Sequence, residues 1–348
     1  MTDLDASLVR GWWHLLCHRR ELPAPGDYLR FETVVGDIAV FNDGRDLIAF
    51  DNRCPHRGAR LYDGASGNRP ASCRYHGWTH ANGVMIIPQR EKFDGCDLTT
   101  ARLNQYRTDW CGDFLFVGIA PQAALAEQLG EAAGVLENIS FNIDACVDVN
   151  RYDYECRWPL AIENALEPHH ISLVHPETLA TLELQDGENR FLGVNSVWEA
   201  PVGNARLRRR LESLRRFFRI DHGYEGYFSL YLFPFTMLSS TYGYSYSLQH
   251  FFPAPAPDTP RRTSFSSRLL TVPAVDERAA SMLRTFIDST VQVNRRVFEE
   301  DHEVCKRLPA DSWSTAPLRY PSVDEIKISH FRESCRQHLA AQAPEASA

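Results

Sequence analysis

No apolar run in this sequence approaches the ~18 residues that a membrane span requires. Met1 to Arg10 also lacks the basic-then-apolar pattern of a secretory leader. There is no GxGxxG, no P-loop and no internal repeat, so the chain carries no recognisable nucleotide site of its own. Cysteine is sparse and odd in number, nine in 348 residues. That excludes a disulfide scaffold and suits reduced thiols or metal ligands in a cytoplasmic protein. Basic charge is short as well: 37 Lys and Arg against 45 Asp and Glu leave a net charge of −8, which argues against a general nucleic-acid binder. What is present is 44% hydrophobic and 24% charged, ordinary for a globular protein that needs no membrane. At roughly 100–200 residues per domain the length favours two domains, each able to bury a core.

From Tyr28 to Val117 the pattern is β: Leu29–Val35, Asp37–Phe41 and Asp46–Phe50 alternate and are separated by Gly, Asp and Asn, with Asn42-Asp-Gly44 as a turn. Phe114–Val117 closes this region, as expected for a small antiparallel barrel or sandwich. Pro121–Glu137 is Ala-, Glu- and Leu-rich and predicts helix. A second β region is richest from Tyr224 to Phe252, followed by a Pro-rich turn (Pro253–Arg262), a strand (Ser264–Thr271) and helical periodicity over Ala274–Leu308. The small, polar tail Ala340–Ala348 is expected to fray. Arg206–Arg219 carries seven Arg around a stripe of Leu207, Leu211, Leu214 and Phe218. This reads as a solvated helix over a packed stripe, or as a basic patch able to attract an acidic ferredoxin or an anionic substrate. The alternating aromatics between Tyr224 and Phe252 read as sheet core or as the lining of an apolar pocket.

Two constellations carry chemistry. Cys54-Pro-His56 and, after a 16-residue gap, Cys73-Arg-Tyr-His76 form two half-sites in the β region. Two thiolates and two imidazoles hold either a tetrahedral Zn²⁺ or a [2Fe–2S] cluster with Cys₂ on one iron and His₂ on the other. The flanks, Cys54-Pro-His-Arg-Gly58 and Cys73-Arg-Tyr-His-Gly-Trp78, closely resemble the two loops of the Rieske cluster. His80, four residues after His76, reads as a surface or supporting residue.

The second constellation lies in Trp158–His175, where Glu163, Asn164, Glu167, His169, His170 and His175 crowd a mostly apolar stretch. Dense imidazoles beside carboxylates cost desolvation unless something is bound. Two His and one carboxylate on one face form the facial triad of non-heme Fe(II) oxygenases. Glu167, three residues before His170, would share its face on a helix. The bland alternative is a polar helix face with hydrogen-bonded histidines.

Glu-Asn, then an acidic residue, two spacers, His, four spacers and His resembles the catalytic-domain motif of Rieske non-heme iron oxygenases. The resemblance implies His170 and His175 as iron ligands and Glu167 as the acidic bridge linking a cluster ligand of one subunit to an iron ligand of its neighbour. It further implies Asn164 as an amide near the iron and His169, out of register, as structural. Most of that family has Asp at the bridge. Glu occurs in the branch acting on quaternary amines. Phe298–Val304 resembles the family's last ligand motif, with Asp301 at the ligand position and Glu300 as the neighbour one register away. Gly11–His18 with Glu21–Asp27, Tyr231–Pro234 and Phe252-Pro253 match softer parts of the same pattern.

The expectation is therefore an α+β chain with an all-β Rieske [2Fe–2S] domain over 1–118. A helix-grip, START-like catalytic domain would follow over 119–348, with an antiparallel sheet and a long C-terminal helix. The resemblance implies a terminal oxygenase that hydroxylates or demethylates a small aromatic or cyclic molecule, with O₂ and with electrons from a separate NAD(P)H-dependent reductase, with or without a ferredoxin. It also implies a homotrimer. Competing readings are a quaternary-amine monooxygenase, a non-catalytic Rieske electron carrier with a ligand-binding domain, and a zinc-stabilised binding module.

Overall fold

A computed structural model describes residues 2–221, 223–255 and 262–342. The middle of the Pro-rich turn (256–261) and the end of the tail (343–348) lie outside the described residues.

Short β-prone runs separated by Gly and Asn turns build the N-terminal part. A four-stranded antiparallel sheet has the order Leu47–Asp51, Ile38–Asn42, Asp27–Phe31, Ser66–Asn68, with Tyr28 opposite Phe41 and Phe41 opposite Ile48. Trp13–His18 forms a strand that the alternation pattern had not singled out. It is buried at every position and therefore shows no alternation to read. It pairs with Phe114–Gly118, which pairs in turn with Arg107–Cys111, so the opening segment and the closing strand seal this unit together.

The stretch expected to be one helix over Pro121–Glu137 is two, Leu125–Leu129 and Ala132–Ser140. They are separated at Gly130, whose φ of +50° ends the first helix where a side chain would be strained.

The C-terminal part is built on a seven-stranded antiparallel sheet in the order Ala145–Tyr154, Thr263–Thr271, Ser245–Pro253, Thr236–Thr241, Tyr227–Leu232, Asn195–Ala200, Glu188–Leu192. Phe228, Leu230, Tyr246 and Leu248 point to one face and share a buried core with Trp13, Phe114, Phe116 and Leu136. The Arg-rich stretch is helical over Ala205–Leu214, with Leu211 buried, Leu207 and Leu214 half-buried, and the arginines outward. The other face of the sheet is gripped by the site helix Trp158–Leu166 and the long helix Glu277–Cys305, 29 residues or about 44 Å. Asp276 caps the long helix by accepting from the Ala279 N–H at 2.7 Å.

The two parts meet through buried polar contacts. Arg268, fully buried, pairs with Glu21 at 2.8 Å, and His250 Nε2 lies 2.6 Å from the Leu15 carbonyl. Among the described residues no helix is long and apolar enough to cross a membrane.

Candidate metal centres

At the first centre Cys54 and Cys73 open two loops of the same construction. The Gly58 N–H donates to the Cys54 carbonyl and the Gly77 N–H to the Cys73 carbonyl, each at 2.9 Å. The Cys54 and Cys73 N–H groups donate to the Ala59 and Trp78 carbonyls, each at 2.8 Å. Gly58 and Gly77 have φ of +75° and +72°, which only glycine adopts cheaply, and this is why a Gly follows each half-site. The loops bring the thiols together on the inner side, 2% and 3% exposed, and put His56 and His76 outside with ring centroids 4.8 Å apart.

Burial pushes the Cys54 thiol pKa up, while the backbone N–H groups of His56 and Arg57 point to its sulfur and oppose that shift. His56 Nδ1 is buried without a hydrogen-bond partner, and its ring stacks on Trp78 at 4.8 Å. An inner thiol pair, an outer imidazole pair and an orphaned ring nitrogen fit a cluster with Cys₂ on one iron and His₂ on the other. His80 is buried, 6% exposed, rather than at the surface; burial pulls its pKa down and the charge of Asp43 offsets part of that.

At the second centre the site helix stops at Leu166 because Pro168 forces Glu167 into extended backbone, φ −118° and ψ 142°. Glu167 and His170 therefore do not share a helix face. They meet because Glu167 folds back over the next turn: Oε2 accepts from the His170 backbone N–H at 3.1 Å and Oε1 from His170 Nδ1 at 2.7 Å. A four-residue helix, Ile171–Val174, then separates His170 at its start from His175 at its end, turning both rings inward.

The long helix supplies Asp301, 8% exposed, and Glu300 beside it. Glu300 Oε2 accepts from His175 Nδ1 at 2.8 Å and from Thr178 Oγ1 at 3.0 Å, and Oε1 accepts from Arg296 Nε at 2.9 Å. With both Nδ1 protons engaged, the Nε2 lone pairs face Asp301: His170 Nε2 lies 3.6 Å and His175 Nε2 3.0 Å from Asp301 Oδ1. His175 Nε2 is buried yet lacks the alignment of a hydrogen bond, and Asp301 Oδ1 already accepts from Asn164 Nδ2 at 2.8 Å. Burial disfavours a charged His175, but Asp301 and Glu300 outweigh it and raise its pKa.

Three ligand atoms within 4.8 Å of one another, two of them imidazole nitrogens with protons held on the far side, fit a 2-His-1-carboxylate metal site with open positions. Asn164 acts on the carboxylate, not as a fourth ligand. His169 is exposed and lies 3.6 Å from Asp324.

Two features of this region were not legible as such. Glu300 was an alternative ligand in the sequence and is instead the carboxylate behind His175. Glu163 sat among the candidate carboxylates but accepts from Arg332 Nε at 2.6 Å, Arg332 at 2.9 Å through its second oxygen, and Trp313 Nε1 at 2.7 Å. It ties the site helix to the C-terminal helix Ile326–Gln342.

Beside the three ligands opens a cavity of about 340 Å³, walled by Leu207, Met237, Leu269, Phe286, Val297 and Phe298 on its apolar side. The aromatic band contributes little to it: Phe228 and Tyr246 face the core behind the sheet.

Residues 12–94 match the Rieske [2Fe-2S] domain, and residues 143–341, more than half of the chain, match the ring hydroxylating alpha subunit (catalytic domain). The chain is 32% identical over 202 residues to the toluate 1,2-dioxygenase subunit alpha of Pseudomonas putida, covering 51% of this chain and 43% of that one. It is 28% identical over 246 residues to the carnitine monooxygenase oxygenase subunit of Escherichia coli K12, covering 66% and 61%. The matched stretches thus span less than two thirds of these relatives. A crystal structure of a quaternary ammonium Rieske monooxygenase with L-carnitine superposes over 98% of this chain and 91% of that one, with TM-score 0.70 and 16% identity, which establishes the shared fold. The chain belongs to the ring-hydroxylating alpha-subunit family, with a Rieske [2Fe–2S] domain ahead of the catalytic domain.

Proposed function

We propose that this chain is the terminal oxygenase of a multi-component cytoplasmic system. Residues 1–118 would receive electrons and residues 119–348 would hold the substrate. The observation that carries this reading is the triad of His170, His175 and Asp301 opening onto a cavity of about 340 Å³ in a chain that also has the two Cys/His loops. In this role Cys54, His56, Cys73 and His76 hold the cluster. A mononuclear Fe(II) on the triad, when bound, supplies O₂ activation for hydroxylation or oxidative demethylation.

The protein's own groups do the positioning. Glu167 and Glu300 keep the Nδ1 protons of the two imidazoles, so that each ring presents a neutral Nε2. Asn164 holds one oxygen of Asp301 and leaves the other free. The apolar wall limits water beside the reacting substrate. Exposed His76 offers the entry edge for electrons from a separate reductase or ferredoxin. In a head-to-tail trimer Glu167 would join the partner's cluster edge to His170. A non-catalytic carrier has no use for a supported triad.

Glu167 in the place of Asp, together with the likeness to the carnitine monooxygenase subunit, supports a quaternary-amine substrate as the second reading.

The test is single turnover. Pre-reduced protein is given ¹⁸O₂ and a substrate panel without any reductase, and product is analysed for label. Labelled product from wild type and none from His170→Ala is expected. Label-free hydroxylated product, or equal yield of hydroxylated or demethylated product from the variant, would contradict the oxygenase reading.

A further inference from the structure

The cavity's sheet side is hydrophilic, and its polar groups are in register. Ser229 lies opposite Ser239 and Ser239 opposite Ser247 on three successive strands, so three hydroxyl-bearing residues form one row across the sheet. The row continues through hydrogen bonds. Gln249 Nε2 donates to Ser239 Oγ at 3.1 Å, Ser247 and Ser267 hydroxyls are 3.0 Å apart, and Asn294 Nδ2 on the long helix donates to Ser267 Oγ at 3.0 Å. Ser229, Ser239, Ser247, Gln249 and Asn294 all line the cavity. A pocket shaped for a bare hydrocarbon has no reason for such a floor, because desolvating it without a polar ligand is unfavourable.

A second and independent observation is Lys327, at the start of the C-terminal helix. It forms part of the same cavity wall, is 1% exposed, and its Nζ has no hydrogen-bond partner among the described residues. Burial with nothing to offset it pulls its pKa down to about 7. An arginine could not be held this way, because it cannot shed its charge. A lysine can stay neutral in the empty pocket and ionise against an incoming anion.

We propose that the cavity is built for a small carboxylate substrate, whose anionic oxygens are received by Lys327 and by hydroxyls of the Ser229–Ser239–Ser247 row. This rests on the oxygenase reading only in taking the cavity as the substrate site. It covers both an aromatic acid and a betaine, which share the carboxylate.

Binding by calorimetry to metal-loaded protein, without O₂ or reductant, tests it independently of turnover. The probes are benzoate against benzamide, cyclohexanecarboxylate against its carboxamide, and glycine betaine against choline. In wild type at least one acid should bind about tenfold or more tighter than its neutral or carboxylate-free counterpart. Lys327→Met should abolish that preference while raising the unfolding temperature, since it removes an unpartnered buried amine. Ser239→Ala should weaken acid and amide alike. The arm that binds separates an aromatic or cyclic acid from a betaine. No preference for any carboxylate in wild type would overturn the proposal, as would a preference that survives Lys327→Met. Carboxylate binding without oxygenation in single turnover would instead contradict the oxygenase reading alone.

Discussion

Glu300 Oε2 accepts a hydrogen bond from His175 Nδ1 at 2.8 Å, so the carboxylate next in sequence to Asp301 stands behind the ring whose other nitrogen faces Asp301. One helix thus brings a ligand candidate and the group that orients the opposite ligand. Glu300→Gln should lower mononuclear iron affinity by about 10–100-fold. Cluster colour should be unchanged. Iron titration of the apo-site checks this, and an unchanged affinity would make Glu300 a mere partner of Arg296.

Glu167 Oε1 accepts from His170 Nδ1 at 2.7 Å, which is the bond an electron bridge would use. Glu167→Gln should keep both metals yet slow transfer from the pre-reduced cluster and lose most product. Glu167→Asp should retain part of the activity, with one methylene less reach. Rapid-mixing spectroscopy of the cluster's reoxidation reads this out. Wild-type rates in Glu167→Gln would remove the support for an intersubunit bridge.

Glu163 is a stability residue inside the motif. It is buried and holds Arg332 through both oxygens. Glu163→Ala would leave Arg332 uncompensated and should cost about 3–5 kcal/mol. Denaturant unfolding checks the value, and a loss below about 1 kcal/mol would show that the fork is dispensable.

The reach of sequence reasoning here followed how local each cause was. Gly, Asp and Asn turns around short β-prone runs exposed Ile38–Asn42 and Leu47–Asp51, although both are buried at nearly every position, and the paired half-sites exposed Cys54 and Cys73, because each of these causes is local. Trp13–His18 escaped because burial on both sides erases period two. The Glu167–His170 contact was expected for the wrong reason: a shared helix face was assumed, whereas Pro168 ends the helix and the side chain folds back. Glu163 and Glu300 could not be told from ligands, because their partners Arg332 and His175 lie 169 and 125 residues away. The serine row was hidden between aromatics that face the other way.

Acid should loosen the joint between the two parts. Burial depresses the pKa of His14 and His18 to about 4 and of His250 well below its ordinary 6.5. The unfolded chain therefore binds more protons than the folded one below about pH 6.5. The stability these neutral rings contribute is complete above that pH and is lost as the pH falls toward 4. Unfolding free energy should drop markedly from pH 7.5 to 5, and His18→Gln should make the drop shallower. A flat profile would contradict this.

The claim that the chain holds two separate metal centres is tested most directly by iron and acid-labile sulfide analysis, with visible spectra, of wild type, Cys54→Ser and His175→Ala. Wild type should carry iron and sulfide in a ~3:2 ratio. Cys54→Ser should lose the sulfide and the colour. His175→Ala should keep both while losing about a third of the iron. Zinc in place of sulfide in wild type, or loss of the cluster from His175→Ala, would contradict the account.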